Sequence, residues 1–350
     1  MAHIVYHQVK ISAVAACVPT LQESNYDLDY LIPREEIDKT VNAIGIQARR
    51  VAPQEVCASD LCFRAAEKLI NENHIDRKSI DMILFLSQLP DYKIPATAPI
   101  LQHRLGLPSS TAALDLSLGC SGYVYALSTA MAYASMEGID RVLLLVGETF
   151  SKIVNKRDKV NAPLYGDAGT ATLVEKNKQV SASYFSLYSD GAGEDAVKIP
   201  AGEARCPATP DNLQETEQEE GNIRSGNQVY MDGLNVFNFA LGVVPKSIRE
   251  ICIFADRDLM DIDHIVLHQA NKFMTDFFIK RLKYPIERVP YCLDRFGNTS
   301  SASIPLTLSA CFPGTIDAKT VIFCGFGAGL SWATALMPLN KCVISPVIDY

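Results

Sequence analysis

Four short segments of the chain, 82–86, 141–146, 265–268 and 320–324, are apolar at nearly every position. Runs this short, rich in Val, Ile and Leu and apolar on both faces, read as buried parallel strands. Between them apolar residues recur with the helical period. Cys62, Ala65, Ala66, Leu69 and Ile70 fall on one face of a helix for which Ser59-Asp60 offers a cap. The stretch 121–136, dominated by Ala, Ser, Met and Tyr, is apolar nearly all round, which predicts a helix enclosed within the protein. Strands alternating with helices predict a layered α/β architecture.

The order of elements repeats coarsely in two halves, 1–175 and 176–350. In the first, a helix precedes the strand at 82–86, a buried helix follows Cys120, and strands come near 141–147 and 170–175. In the second, a helix near 235–255 precedes a strand near 264–268, a helix follows Ser301, and strands near 320–325 and 331–337 close the half. Repetition at this level points to duplication. The segment 202–226, with its Pro, Gly, Asn, Gln and Glu, breaks the pattern and is expected to be a surface insertion.

A length of 350 residues suits one large or two modest domains, and 48% apolar with 21% charged residues is ordinary for a folded protein. The net charge is −8, from 32 Lys and Arg against 40 Asp and Glu. Between 203 and 220 lie Glu203, Asp211, Glu215, Glu217, Glu219 and Glu220 against Arg205 alone, so this one segment carries −5 of that −8. The remainder is nearly balanced and leaves room for a local basic patch, while the overall acidity argues against nucleic acid as a partner. No apolar run is long enough to cross a bilayer, and no basic stretch followed by an apolar one opens the chain; a cytoplasmic protein without membrane contact is expected. The ten cysteines are scattered without a CxxC pair, so neither a zinc site nor a disulfide framework is indicated. Nine read as buried, reduced packing thiols.

The tenth is Cys120. A strand-like run from 112 ends in Gly119-Cys120-Ser121-Gly122, and a small-residue helix begins at once. That places Cys120 at a helix N-terminus, where unpaired N–H groups and the macrodipole are expected to lower its pKa from about 8.5. The predicted strand 263–267 ends at His268-Gln269-Ala270-Asn271, and residues at the C-terminal ends of parallel strands are where α/β proteins place ligands. Further on, Gly297-Asn298-Thr-Ser-Ser-Ala-Ser leads from a loop into another helix. Taken singly, His268 could be a core histidine and Asn298 a turn residue. Their joint occurrence with Gly-Cys-Ser-Gly asks for a common explanation.

With these segments and with Gly325-Phe-Gly-Ala-Gly329-Leu-Ser-Trp332, the chain resembles the β-ketoacyl-acyl-carrier-protein synthase III family of the thiolase fold over nearly its whole length. The resemblance implies two similar βαβ-based halves in an α-β-α-β-α core, with a Cys-His-Asn triad falling on Cys120, His268 and Asn298. It implies an acyl-enzyme on Cys120, an oxyanion held by the amides of Cys120 and Ala328, and decarboxylative Claisen condensation with a malonyl thioester, His268 and Asn298 stabilising the enolate. No metal or redox cofactor is needed for that cycle. The glycines at 325, 327 and 329 lack dinucleotide-motif spacing. A homodimer and an acyl carrier protein partner are also implied.

The acyl donor stays open. Gly45-Ile46-Gln-Ala-Arg49-Arg50 matches the family, but the Trp and Arg that grip the adenine of coenzyme A are missing from 38–44, and the sole tryptophan is Trp332. Either coenzyme A is held differently or both acyl groups arrive on a carrier protein. An acidic carrier asks for a basic surface, for which Lys246, Arg249, Lys272, Lys280 and Arg281 are the candidates. The alternatives to condensation are an acyltransferase delivering the acyl group to an amine or hydroxyl and a non-catalytic partner subunit. Glu148, the nearest candidate for the glutamate of hydroxymethylglutaryl-type synthases, is expected instead to cap the loop that follows it.

Overall fold

The computed structural model describes residues 2–218 and 221–350. The core strands are β1 (Ala2–Tyr6), β2 (Val9–Val18), β3 (Met82–Leu86), β4 (Ala112–Leu116), β5 (Arg141–Glu148), β6 (Ala168–Lys176), β7 (Ser183–Ser189), β8 (His264–Leu267), β9 (Gly314–Gly327) and β10 (Ser331–Ile344). The principal helices are α1 (Ala58–Glu72), α2 (Thr97–Arg104), α3 (Gly122–Ser135), α4 (Gly233–Phe254), α5 (Lys272–Leu282) and α6 (Ser303–Cys311).

The duplication suggested by element order is carried by strand pairing. In the first half β2 pairs antiparallel with β6, β6 antiparallel with β5, and β5 parallel with β3. In the second half β7, β10, β9 and β8 pair in the same sequence and senses. Beyond this common unit, β4 extends the first sheet beside β3, and β1 extends the second beside β7. The two sheets join where β10 runs parallel to β2, with Val343 opposite Ala13 and Ile344 opposite Val14.

Helix α3 packs on β5 and β6 of one sheet and on β9 and β10 of the other, and α6 packs on β2, β6 and β8. They form the middle layer. The apolar character of α3 all round now has its reason, since Tyr123, Leu127 and Met131 share a core with Leu84, Leu144 and Phe323. Full burial of an apolar side chain of this size is worth about 1.5–3 kcal/mol, so α3 is held by its surroundings more than by helix propensity. Helix α1 covers β2, β5 and β6 from outside, so close to β6 that a Cβ at Gly169 would lie 2.3 Å from the Cys62 nitrogen. Helices α4 and α5 cover the outer face of the second sheet.

Four expectations need correction. Helix α1 begins at Ala58, so Asp60 caps from its third position by accepting the Cys57 N–H at 2.8 Å, while Ser59 is buried and donates to Asp91 at 2.8 Å. The insertion is anchored as well as exposed: Thr216–Glu217 pairs with Ile223–Arg224, and the Arg224 guanidinium reaches the buried Asp158 carboxylate at 2.9 Å. Glu219 and Glu220 of its acidic run lie outside the described residues. Of the nine packing cysteines, Cys17, Cys62, Cys252, Cys292, Cys324 and Cys342 are buried, but Cys57 and Cys311 are half-buried and Cys206 on the insertion is exposed. All ten are free thiols.

Glu148 does not cap its own loop. At the end of β5 and fully buried, it accepts from Ser87 Oγ at 3.1 Å, from the Gln88 N–H at 3.2 Å and from Ser301 Oγ at 2.9 Å, joining the loop after β3 to the segment before α6. Burial pushes its carboxyl up to about 8, with those three hydrogen bonds working the other way. The folded state therefore holds a proton that the unfolded chain releases near the ordinary carboxylate value, so stability falls as pH rises from about 4.5 to about 8. Glu148→Gln removes that titration. Its melting temperature relative to the wild type is expected to rise from pH 5 to about pH 8 and to level off above that; a pH-independent difference would mean that the carboxyl is ionised in the fold.

Candidate active site

The site lies where strand ends of the two halves meet. Cys120 follows β4 on the turn that opens α3, His268 directly follows β8, and Asn298 follows the one-turn helix Leu293–Phe296. His268 and Asn298 are held by backbone pairing with their neighbours. The His268 N–H donates to the Cys324 carbonyl at 2.8 Å, and the Asn298 N–H donates to the Leu164 carbonyl at 2.8 Å. Close approach of the β9–β10 hairpin to Cys120 requires glycine: a Cβ at Gly327 would lie 2.7 Å from Cys120 Cβ, and one at Gly325 would lie 2.9 Å from the Cys120 carbonyl oxygen.

Cys120, His268 and Asn298 line one cavity of about 410 Å³. Gln88, Tyr165 and Ala328 border it on the inner side, and Leu234, Phe237 and Phe273 line it toward solvent. The outer wall is apolar although exposed, Leu234 being 70% and Phe273 60% accessible. Phe273 stacks on Phe237 with ring centroids 5.4 Å apart. The sequence-predicted triad and the Ala328 amide are thus brought together. Glu148 is not among the described residues that line the cavity.

Burial governs the protonation states. It pushes the Cys120 thiol up to about 11, aided by Glu148 and opposed by the Ser300 hydroxyl and by the N–H groups of Cys120 and Ala328. The helix N-terminus therefore does not produce a resting thiolate, contrary to the sequence expectation, because desolvation of the sulfur outweighs the donors around it. The same burial holds His268 down to about 3 against the Ser300 backbone, which accepts from the ring. At neutral pH the site pairs a neutral thiol with a neutral imidazole. His268 Nδ1 lies 2.7 Å from Ser303 Oγ, and the Phe326 ring meets the imidazole edge-on at a centroid distance of 5.3 Å. Asn298 Oδ1 accepts the Ser300 N–H at 2.9 Å, which leaves the amide nitrogen as the group able to donate to a ligand.

Ser300 and Ser303 were not singled out from sequence, although both stand in the Asn-Thr-Ser-Ser-Ala-Ser motif. The available signal was a run of hydroxyl residues at the entrance of an apolar helix, where buried hydroxyls need partners.

The five candidate docking residues are exposed on α4 and α5. Lys246 pairs with Glu250 at 3.8 Å and Lys272 pairs with Asp276, which reduces their excess charge. Arg249 donates to the Arg281 carbonyl at 2.6 Å, bringing the two helices together. Lys280 and Arg281 have no ion-pair partner among the described residues, and the exposed Lys283 follows them. Arg49 is bound to Glu23 at 3.0 Å and Asn25 at 2.9 Å, and Arg50 to Asp349 at 2.8 Å. Trp332 stacks on Tyr188 at 5.0 Å, away from the cavity lining. No group of three or more His, Cys, Asp or Glu that could hold a metal occurs among the described residues, and none of their helices is long and apolar enough to cross a membrane.

Comparison with known proteins agrees with this geometry. The family model for 3-oxoacyl-[acyl-carrier-protein (ACP)] synthase III matches residues 114–191, and the model for its C-terminal part matches residues 254–339. A β-ketoacyl-[acyl-carrier-protein] synthase III of Rhodopirellula baltica is 34% identical over 94% of this chain and 97% of its own. The crystal structure of a 3-oxoacyl-(acyl-carrier protein) synthase from Burkholderia xenovorans superposes with a TM-score of 0.92 at 36% identity, covering 100% of this chain and 99% of that one. The β-ketoacyl-[acyl carrier protein] synthase III of Thermus thermophilus superposes with a TM-score of 0.81 at 34% identity, over 95% of this chain and 99% of that one. With the strand order repeated in both halves and Cys120, His268 and Asn298 around one cavity, the chain belongs to the β-ketoacyl-acyl-carrier-protein synthase III family.

Proposed function

We propose that the protein condenses an acyl group carried on Cys120 with a malonyl thioester, releasing CO2 and a 3-oxoacyl thioester. The observation that carries this reading is the pairing of a neutral imidazole and an oriented carboxamide with a thiol in one cavity. In the first half-reaction Cys120 gives up its proton, which the departing carrier thiol takes up, and the sulfur attacks the acyl thioester. The N–H groups of Cys120 and Ala328 hold the oxyanion, the carrier C–S bond breaks, and the carrier thiol leaves with the proton. In the second, His268 and Asn298 Nδ2 donate to the malonyl thioester carbonyl. The C–C bond to the carboxylate breaks, its electrons form the enolate, and the enolate carbon attacks the acyl-Cys120 carbonyl and expels the thiolate, which takes one proton from solvent to restore the resting thiol.

Donation from His268 Nε2 requires Nδ1 to accept from Ser303, and the 2.7 Å contact suits that tautomer. Decarboxylation favours a site whose donors are neutral, since a fixed cation would stabilise the malonyl carboxylate in the ground state as well as the enolate. Asn298 would have no part in simple acyl transfer to an amine or hydroxyl, which favours condensation over that alternative. No metal or redox group is required.

Carrier protein is favoured as the source of both acyl groups, because Arg49 and Arg50 are committed to carboxylates and Trp332 to a half-buried stack on Tyr188. Its acidic surface would meet Arg249, Lys280 and Arg281, with Lys246 and Lys272 at the flanks. A homodimer would form on the edge of β4, which is paired on one side by β3 and carries the exposed Leu114, with exposed Tyr92 and Ile94 on the loop between β3 and α2. A cytoplasmic location suits these partners.

Removing an enolate donor is expected to cost about 10²–10³ in turnover. Asn298→Ala should therefore lose condensation by that factor, read as 3-oxoacyl product formation, while acyl loading of Cys120 followed by intact mass changes little; equal losses in both half-reactions would contradict the assignment. Reversing charge with Lys280→Glu and Arg281→Glu should raise KM for a carrier-bound substrate about ten-fold at low salt and spare a small thioester. Equal effects on both substrates would remove these residues from the docking surface.

A further inference from the structure

Ser300 touches all three members of the triad. Its N–H donates to Asn298 Oδ1 at 2.9 Å, its backbone accepts from the His268 ring, and its Oγ lies 3.6 Å from Cys120 Sγ. It is fully buried and held at φ +50°, a left-handed conformation that a serine adopts only when its surroundings impose it. On either side, Ser301 is fixed by the Glu148 carboxyl at 2.9 Å and Ser303 by His268 at 2.7 Å, so the backbone of Ser300 is clamped from both directions.

We propose that Ser300 is a further catalytic residue: its hydroxyl donates a hydrogen bond to Cys120 Sγ whenever the sulfur is a thiolate. This rests on the reading of Cys120 as the nucleophile and adds a donor that the Cys-His-Asn constellation does not contain. The sulfur is the one hydrogen-bond partner of the Ser300 hydroxyl among the described residues. A contact of 3.6 Å is ordinary for oxygen and sulfur, and hydrogen bonds to an ionised acceptor are roughly twice as strong as neutral ones. The hydroxyl keeps its proton throughout, so the proton balance of the two half-reactions is unchanged. The thiolate exists twice per cycle, just before acyl attack and when the 3-oxoacyl product leaves. In the acyl-enzyme the sulfur is a neutral thioester and a poor acceptor, so the donor acts selectively on the charged states.

The other groups around the sulfur do not duplicate this role. Glu148 at the end of β5 and Tyr165 before β6 disfavour or are disfavoured by a charge on Cys120, and His268 at the end of β8 is neutral. The N–H groups of Cys120 and Ala328 are the remaining donors, and during acyl attack they turn to the oxyanion. Ser300 is the side-chain donor left to the sulfur.

The test measures the pH dependence of iodoacetamide alkylation at Cys120, followed by mass mapping of the Cys120 peptide, in the wild type, Ser300→Ala and Ser300→Gly. Both variants keep the backbone contacts to Asn298 and His268, and glycine adopts φ +50° more readily than serine, which keeps one folded variant in hand. The midpoint is expected to rise by about one pH unit in both, with alkylation at pH 7 slowed about ten-fold. An unchanged or lowered midpoint in either folded variant overturns the proposal. A wild type whose Cys120 alkylates but takes no acyl group from any thioester would instead overturn the assignment of Cys120 as nucleophile, which this readout does not require.

Discussion

Cys120 meets His268 and Asn298 because the hairpin of one half lies in direct contact with the catalytic turn of the other. At Gly325 and Gly327 a side chain would fall within 3 Å of Cys120, so the approach exists only with hydrogen there. The rest follows from that contact. It brings the Ala328 amide to the sulfur, closes the inner end of the cavity and lets α3 sit between two sheets with its apolar surface covered on all sides.

Enclosure has an electrostatic consequence that runs through the site. Burial penalises every charge, so Cys120 is a thiol, His268 an imidazole and Glu148 a carboxylic acid near neutral pH. Polar groups survive there because each is partnered: Glu148 by Ser87, Gln88 and Ser301, His268 by Ser303, Asn298 by the Ser300 N–H. A site that is neutral at rest and rich in aimed donors is suited to reactions in which negative charge appears transiently, on a sulfur, an oxyanion and an enolate in turn.

Much of this was legible in the sequence, and the reasons differ by element. The strand at 82–86 has the same bounds in the structure, because a strand buried on both faces admits no polar residue and ends where polarity returns. The 320–324 run, in contrast, is only part of a 14-residue strand: burial continues through Gly325-Phe326-Gly327, and the largely exposed N-terminal part of β9 is held by its antiparallel partner. The three reactive side chains could be read from motifs at strand and helix ends. Their protonation states could not, because desolvation depends on what the other half of the chain places around them. The same holds for Ser300 and Glu148. A serine in a hydroxyl-rich loop and a glutamate at a strand end acquire meaning only from residues more than a hundred positions away, Cys120 for the one and Ser301 for the other.

The central claim is that Cys120 carries the acyl group. It is tested most directly by intact-protein mass spectrometry after incubation with panels of acyl-coenzyme A and acyl-carrier thioesters. The wild type is expected to gain one acyl mass with at least one donor, and Cys120→Ala none; an adduct that persists in Cys120→Ala, or its absence from the wild type with every donor, would contradict the account.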